Sequence, residues 1–459
     1  MNSISPIDGR YRNSVDELAP IFSEYGLHRY RIMVEIDYFI FLAQLKEVTY
    51  LEFECTYENI EKLRSLYDPI NFTLTECQKV KEYENQTNHD VKAVEYYIAD
   101  KFREMGFEKA ISYIHFGLTS QDINSCANML QLIDFMDNIY YPEIEKIETE
   151  LTRMSKEWKD IVMVCKTHGQ TATPSTLGFQ FRVFRERLHG QIQLLRNQSY
   201  HTKFGGATGG LNAHYYTYPN INWTSKLDTF VENNFGLTRY SYTTQINSYE
   251  TMTSVFDNVK RINTLLIDLC QDIWLYVSYG YLKQKIVATE VGSSTMPHKV
   301  NPINFENAEG NLYMANGVLE TMSRKLPISR LQRDLTDSTI LRNLGVGFSH
   351  TIISIKSILK GFSKITPNKT IINRDINDNK IVLAEAIQTV LRKYNVKGAY
   401  ELLKKHTRNC NNTAFEISTL VNKIIIELEE TDIEKQILDQ IRSDLSLERL
   451  TIENYTKLH

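Results

Sequence analysis

ETMTSVFDNVKRINTLLIDLCQDIWLYVSYGYLKQK, residues 250–285, contains no proline and carries Val255, Val259, Ile262, Leu266, Leu269, Ile273 and Val277 at steps of three and four. That spacing gathers the apolar side chains onto one face of a helix, and its length predicts a long one. Prolines are absent from Pro69 to Pro142 and from Pro219 to Pro297, so the chain is free to continue helices through both spans. The same rhythm recurs upstream, in Ile144, Ile147, Leu151, Met154, Trp158 and Ile161, and again in Leu177, Phe181, Phe184, Leu188, Ile192 and Leu195. Strand signals are few. The stretch therefore sets the fold class as all-α, a bundle of long helices. Leu265, Trp274 and Tyr276 widen its apolar stripe, which predicts burial of more than one face and favours an oligomer.

Outward from the bundle the texture changes. The region before about residue 112 has shorter segments and more tyrosine, and reads as a small, mostly helical domain. After about Ile365 the chain turns Lys/Glu-rich, with short amphipathic pieces such as VLAEAIQTVLRKY (382–394) and AYELLKKH (399–406). A chain of 459 residues exceeds one ordinary core. The expected division is three helical domains, 1–112, 113–365 and 366–459. The glycine-rich KFGGATGGLNAHYYTYP (203–219) interrupts the bundle as a long loop.

Composition narrows the function classes. The net charge of −4 supplies no polycationic field, which argues against nucleic acid as the main partner. No apolar run is long enough to span a bilayer, and MNSISPIDGRYR lacks the apolar core of a secretory signal, so the expected compartment is the cytoplasm. Cys55, Cys77, Cys126, Cys165, Cys270 and Cys410 are scattered without a CxxC and read as small buried hydrophobes. The histidines show no metal-ligand spacing. Gly205 and Gly210 have P-loop spacing, but Leu211 and Asn212 follow where Lys and Ser/Thr are required. A nucleotide bound here must be held by side-chain clamps.

Five stretches break the helical rhythm with polar residues, and loops on a rigid scaffold are where chemistry concentrates. In TNHDVKAVEYY (87–97), Asn88 or Asp90 can cap a helix; His89 is either a chance residue on that turn or a group that meets an anion at the helix start. In HFGLTSQDIN (115–124), Thr119 and Asp122 have capping-box spacing, and Ser120 can cap as well. KTHGQTATPSTLG (166–178) sets His168 on a polar turn, catalytic or structural. ATEVGSSTMPHKVNPINFEN (288–307) is a loop whose useful side chains are Lys299 and Asn301. A serine there can act as a base only where an ammonium such as Lys299 stabilises the alkoxide. Last, SRLQRDLTDSTILRN (329–343) holds Arg330, Arg333 and Arg342 with Ser338 and Thr339, either a phosphate clamp or a solvated basic face.

Within the fourth stretch, GSSTMPHKVNP (292–302) closely resembles the GSSxMPxKxNP loop of the fumarase/aspartase superfamily, whose members eliminate fumarate from succinyl compounds. SPIDGRY, TNHDVKAVEYY, HFGLTSQDIN, THGQ-ATPST, YTTQI and SRLQRDLTDSTILRNLGVG resemble the adenylosuccinate lyase branch, from about Ser5 to Arg408. The resemblance implies a homotetramer built on the central bundle, composite sites drawn from three subunits, nucleotide substrates and no cofactor or metal. It implies His168 as general acid and Ser293 as base; composition does not separate Ser293 from Ser294, which the family pattern makes a substrate ligand. Lys299, Asn301 and Asn307 would hold or line the succinyl site, with Thr119, Ser120 and Gln245. Arg10, Tyr11, Asn88, His89 and Asp90 would meet the nucleotide. Arg333 and the run Ser338, Thr339, Ile340, Leu341 and Arg342 would surround its 5′-phosphate. Thr171 departs from the pattern, standing where other members carry proline. A sister enzyme such as argininosuccinate lyase would share the loop but needs no phosphate clamp. A catalytically silent relative would need neither His168 nor Ser293 nor Lys299.

Overall fold

The computed structural model describes residues 2–285, 296, 299–408 and 416–456. Ser293, Ser294 and Cys410 lie outside them.

Long helices stand where the stripes predict them: Tyr141–Glu157, Leu177–Arg196 and Glu250–Ser278, joined by Ile303–Lys325 and Leu344–Phe362. Ile144, Ile147, Leu151 and Met154 are fully buried, as are Val255, Val259, Ile262, Leu266 and Ile273. The 250–278 helix ends short of the expected Lys285. Gly280 adopts a left-handed backbone (φ +75°), and Leu282–Gln284 then pairs antiparallel with Ile365–Pro367. A glycine at positive φ is the usual stop for a helix, and the strand pairing takes up the backbone groups the helix would have used.

The chain groups into two compact units. The first takes residues 1–146, 190–267 and 307–357. Its Glu24–Gln44 helix is 21 residues long, in a region whose sequence reads as shorter segments. Ser23 caps its start, accepting from the Gly26 N–H. The helix carries no single stripe because it is buried on all sides; Tyr30, Ile32, Val34, Ile36, Tyr38 and Phe39 point in different directions and all are covered. Periodicity fails where there is no solvent face to create it. Ile32, Ile36 and Phe39 share a core with Phe72, Val94, Ile98 and Phe102.

The 203–219 stretch runs as a loop as far as Leu211, as its glycines suggest, but its first residues are covered. Lys203 and Phe204 are fully buried, and a short helix, Asn212–Thr217, closes it. Gly209 has φ +81°, and a Cβ there would stand 2.2 Å from the Thr243 carbonyl oxygen, so only glycine fits.

The second unit takes residues 147–189, 268–306 and 358–459. The helices Lys369–Asp378, Ala384–Lys393, Ala399–Thr407, Ile417–Glu429 and Lys435–Asp444 belong to it. Ile387, Leu391, Leu403, Ile424, Leu428 and Ile441 form one apolar core there. An antiparallel hairpin, β1 (Val162–Thr167) and β2 (Gln170–Thr176), lies in the same unit.

Cys77, Cys126 and Cys270 behave as buried hydrophobes, but Cys55 is exposed and Cys165 half-buried. Cys55 lies just ahead of the Tyr57–Arg64 helix, in a segment with no regular structure. No helix among the described residues is long and apolar enough to cross a membrane.

Candidate active site

The Asn88–Asp90 turn joins two helices of the first unit. Asn88, left-handed at φ +52°, ends the Leu74–Thr87 helix, and the His89 ring caps the next, Nδ1 accepting from the Lys92 N–H at 3.2 Å. Asp90 opens the Asp90–Glu104 helix. Its Oδ1 accepts from the Val91 N–H, and its Oδ2 accepts from Arg31 Nη2 at 2.6 Å. Burial alone would raise this carboxyl. The Arg31 charge and hydrogen bond, the Val91 N–H and the more distant Arg342 hold it at about 2 instead.

Thr119 and Asp122 form the predicted capping box at the start of the Ser120–Phe135 helix; the Asp122 carboxylate accepts from the Thr119 N–H at 2.8 Å. Asp122 also does what the sequence did not disclose. It is fully buried and meets Lys203, whose Nζ donates to Asp122 Oδ1 and to the Gly206 carbonyl, both at 2.6 Å. The Gly205 and Gly206 N–H groups complete its shell. The glycine-rich stretch is thereby tied to the turn that carries Thr119 and Ser120.

His115 heads the same turn in a left-handed conformation (φ +58°). Its Nδ1 lies 2.6 Å from the fully buried Glu35 carboxylate. Burial would push the imidazole down, but Glu35, with Glu95 and Asp122, holds it up at about 9. A group raised on folding stabilises fully below its unfolded value of 6.5 and loses that contribution as pH climbs through about 9. Thermal stability is expected to fall across that window, and the fall should flatten in Glu35→Gln. An unchanged slope in that variant would place the titration elsewhere.

The arginine-rich stretch divides. Arg333 donates to Gln245 Oε1 at 3.3 Å, while Arg342 stands 3.7 Å from Asp90. Arg330 does not join them. Leu331 is left-handed (φ +49°), so residues 329–335 turn instead of continuing a helix, and Arg330 pairs with Asp334 at 3.2 Å. Asp337, inside the stretch, is buried and accepts from Gln121 and Tyr249, which anchors the short Thr336–Leu341 helix.

These segments meet at one cavity of about 700 Å³ within the first unit. Of the sequence-predicted residues, Asn88, His89, Asp90, Ser120, Arg333, Ser338, Thr339, Leu341 and Arg342 line it. Thr119, Gln245 and Ile340 are adjacent in sequence or hydrogen bonding but do not line it. Arg10 is exposed on the N-terminal segment. Tyr11 and Asn307 are brought together away from the lining, Asn307 Nδ2 donating to the Tyr11 hydroxyl at 2.8 Å.

More of the lining was missed than found, including Arg31 and His28 from the 24–44 helix, and Gln121, Asn124, Asn128 and Gln131 from the 120–135 helix. Burial, with Arg31 and Lys81 nearby, pushes His28 down to about 3 and keeps it neutral. A signal was present in both helices. Arg31 and Glu35 stand four apart in YRIMVEIDYFIF, where Asp37 is the one other charge, and Asn124, Asn128 and Gln131 recur at helical spacing, so each set marks a polar stripe on a buried helix.

In the second unit, His168 and Gly169 form the two-residue tip of the β1–β2 hairpin, with φ +54° and +72°. Both residues at positive φ is the requirement of a type I′ turn. A histidine in that conformation is strained, which is a feature of functional sites. His168 is exposed. Thr171 sits opposite Lys166 in β2 and donates to Asn379. Lys299 is exposed and Asn301 half-buried, just ahead of the 303–325 helix.

Known proteins resemble this chain over most of its length. A lyase family model matches residues 9–317, and a model described as adenylosuccinate lyase C-terminal matches 329–455. An adenylosuccinate lyase of Dictyostelium discoideum is 47% identical over 99% of this chain and 96% of its own. The enzyme of that name from Legionella pneumophila (strain Corby) is 44% identical over 100% and 97%, and that from Escherichia coli (strain K12) 40% over 94% of each chain. Among solved structures, a fumarate lyase from Mesorhizobium sp. BNC1 superposes with TM-score 0.72 at 14% identity, covering 96% of this chain and 95% of that one. A 3-carboxy-cis,cis-muconate lactonizing enzyme from Pseudomonas putida gives 0.70 at 19%, covering 96% and 94%. At those identities the likeness is one of fold.

Proposed function

The chain belongs to the adenylosuccinate lyase family, and on that premise we propose that it eliminates fumarate from adenylosuccinate, giving AMP, and from succinylaminoimidazole carboxamide ribotide, giving the carboxamide ribotide. The observation that carries this beyond the family name is the cavity of the first unit, where Asn88, His89, Asp90 and Ser120 share one lining with Arg333, Ser338 and Arg342. Guanidinium forks and hydroxyls beside a helix start suit a phosphate ester.

The remaining roles follow the family pattern. Ser293 removes the β-proton, and the carbanion is carried as an aci-carboxylate with Lys299 and Asn301 against the succinyl carboxylates. Thr119, Ser120 and Gln245 hold the succinyl end, with Ser294 and Asn307 beside it. Arg10, Tyr11, His89 and Asp90 meet the nucleotide, and Arg333, Ser338 and Arg342 bind its 5′-phosphate. His168 protonates the departing purine nitrogen, so C–N cleavage expels a neutral amine. No cofactor enters this scheme.

The active form is a cytoplasmic homotetramer whose sites combine residues of three subunits. Trp274, Leu275 and Tyr279 on and after one long helix, and Tyr313 and Met314 on another, are about 39–57% exposed in the single chain, which supports burial of those faces against other copies.

The deciding experiment adds adenylosuccinate to the purified protein and follows fumarate. Release is expected. Fumarate from argininosuccinate but not from adenylosuccinate would move the protein to a sister lyase.

A further inference from the structure

We propose that Arg31 is a positioning residue for phosphate binding, fixing the Asp90 carboxylate so that Arg342 keeps its guanidinium available to a phosphate in the cavity. The proposal rests on the reading of that cavity as the nucleotide site.

Arg31 is 4% exposed and lies on a helix that sequence motifs do not mark. Its guanidinium is committed on two edges, Nη2 to Asp90 Oδ2 at 2.6 Å and Nε to Asn124 Oδ1 at 2.8 Å. Arg342 approaches the same Asp90 oxygen but stops at 3.7 Å, and its side chain is 57% exposed. Asp90 is its only carboxylate partner among the described residues. The single negative charge is thus shared unequally: Arg31 takes the close hydrogen bond, and Arg342 is held at the lining without being consumed.

The charge balance gives the consequence. Arg31 and Arg342 against Asp90 leave one positive charge in excess, and the other two lining carboxylates, Glu24 and Glu84, cancel it because they share only the Lys81 ammonium. Arg333, which pairs with the neutral amide of Gln245 and not with an acid, restores a net positive charge. A phosphate dianion needs such an excess. Without Arg31 that excess is gone, and an ionised Asp90 would draw Arg342 into a close bidentate pair, away from the ligand. Arg31 therefore acts through Asp90 and Arg342.

The test compares Arg31→Gln, which keeps hydrogen bonding but loses the charge, with Arg31→Lys, which keeps the charge but loses the fork. For Arg31→Gln, KM for adenylosuccinate and the inhibition constant of inorganic phosphate should both rise about tenfold, the effect of one charge several ångströms away at a half-buried site. The kcat should stay within about threefold, because Arg31 does not face the reacting atoms. Arg31→Lys should recover most of the affinity. A merely structural residue would lower the yield of active enzyme and leave KM and phosphate inhibition of the remainder unchanged; that result overturns the proposal. If Arg31→Gln does not fold, Arg31→Lys decides: a tenfold rise in the phosphate constant despite the retained charge overturns it, and a rise of threefold or less upholds it. If the parent releases no fumarate from adenylosuccinate, the functional reading has failed, and calorimetric titration with inorganic phosphate decides Arg31 alone. Weaker binding in Arg31→Gln upholds the proposal, and equal or absent binding in both proteins overturns it.

Discussion

His168→Asn is expected to lower kcat on adenylosuccinate by roughly 10²–10⁴-fold, the contribution of a positioned general acid, while the fold is left intact. Asparagine is the informative replacement because of the backbone. His168 and Gly169 form a two-residue hairpin tip with φ +54° and +72°, and Asn-Gly is the pair such turns prefer. The variant should therefore relieve strain at the tip, and its melting temperature should match or slightly exceed that of the parent. Any loss of turnover then belongs to the imidazole. KM should change little, since the acid acts on the leaving nitrogen as the bond breaks. A kcat within tenfold of the parent would remove His168 from the chemistry and leave it a turn residue.

Lys203→Met should have the largest effect on stability. Lys203 and Asp122 are both fully buried, and among the described residues the carboxylate has no other cation in contact. Burial pushes the Lys203 ammonium down and Asp122 opposes this, so the pair survives as a pair. Removing one member leaves a charge in the core, which costs about 3–5 kcal/mol even though Asp122 keeps the N–H groups of Thr119, Gly205 and Gly206. Calorimetry should show a fall in melting temperature of about 3–5 °C, since unfolding 459 residues carries an entropy of about 1 kcal/mol/K. Activity should fall with it, because the pair ties the glycine-rich stretch to the turn that presents Thr119 and Ser120. Lys203→Met combined with Asp122→Asn should recover part of the loss, since a neutral amide needs no counter-charge. A single variant that melts within about 2 °C of the parent would show that the site reorganises or admits water.

Both residues show where sequence reading stopped. Asp122 was legible only as a helix cap, and its capping bond to Thr119 is present. Its partner stands 81 residues away in a stretch that reads as a flexible loop. Lys203 looks like any surface lysine until the chain folds over it. A buried ion pair is a property of two distant positions, and nothing local distinguishes either member from a solvated charge.

The sequence by itself determined the helix bundle, because apolar residues at steps of three and four leave a helix no other face to bury. It also determined the family, since GSSTMPHKVNP and the four segments around it are short, local and chemically constrained. The tertiary structure decided which of those segments share a cavity: Asn88–Asp90, Ser120 and the Arg333–Arg342 stretch meet in one, and Arg330 turns away. It decided that a helix without a stripe, Glu24–Gln44, supplies the buried arginine behind them. It decided that the start of a glycine-rich loop, Lys203 to Gly206, is core. Periodicity records what faces solvent, so residues that face only other residues become readable once their neighbours are in place.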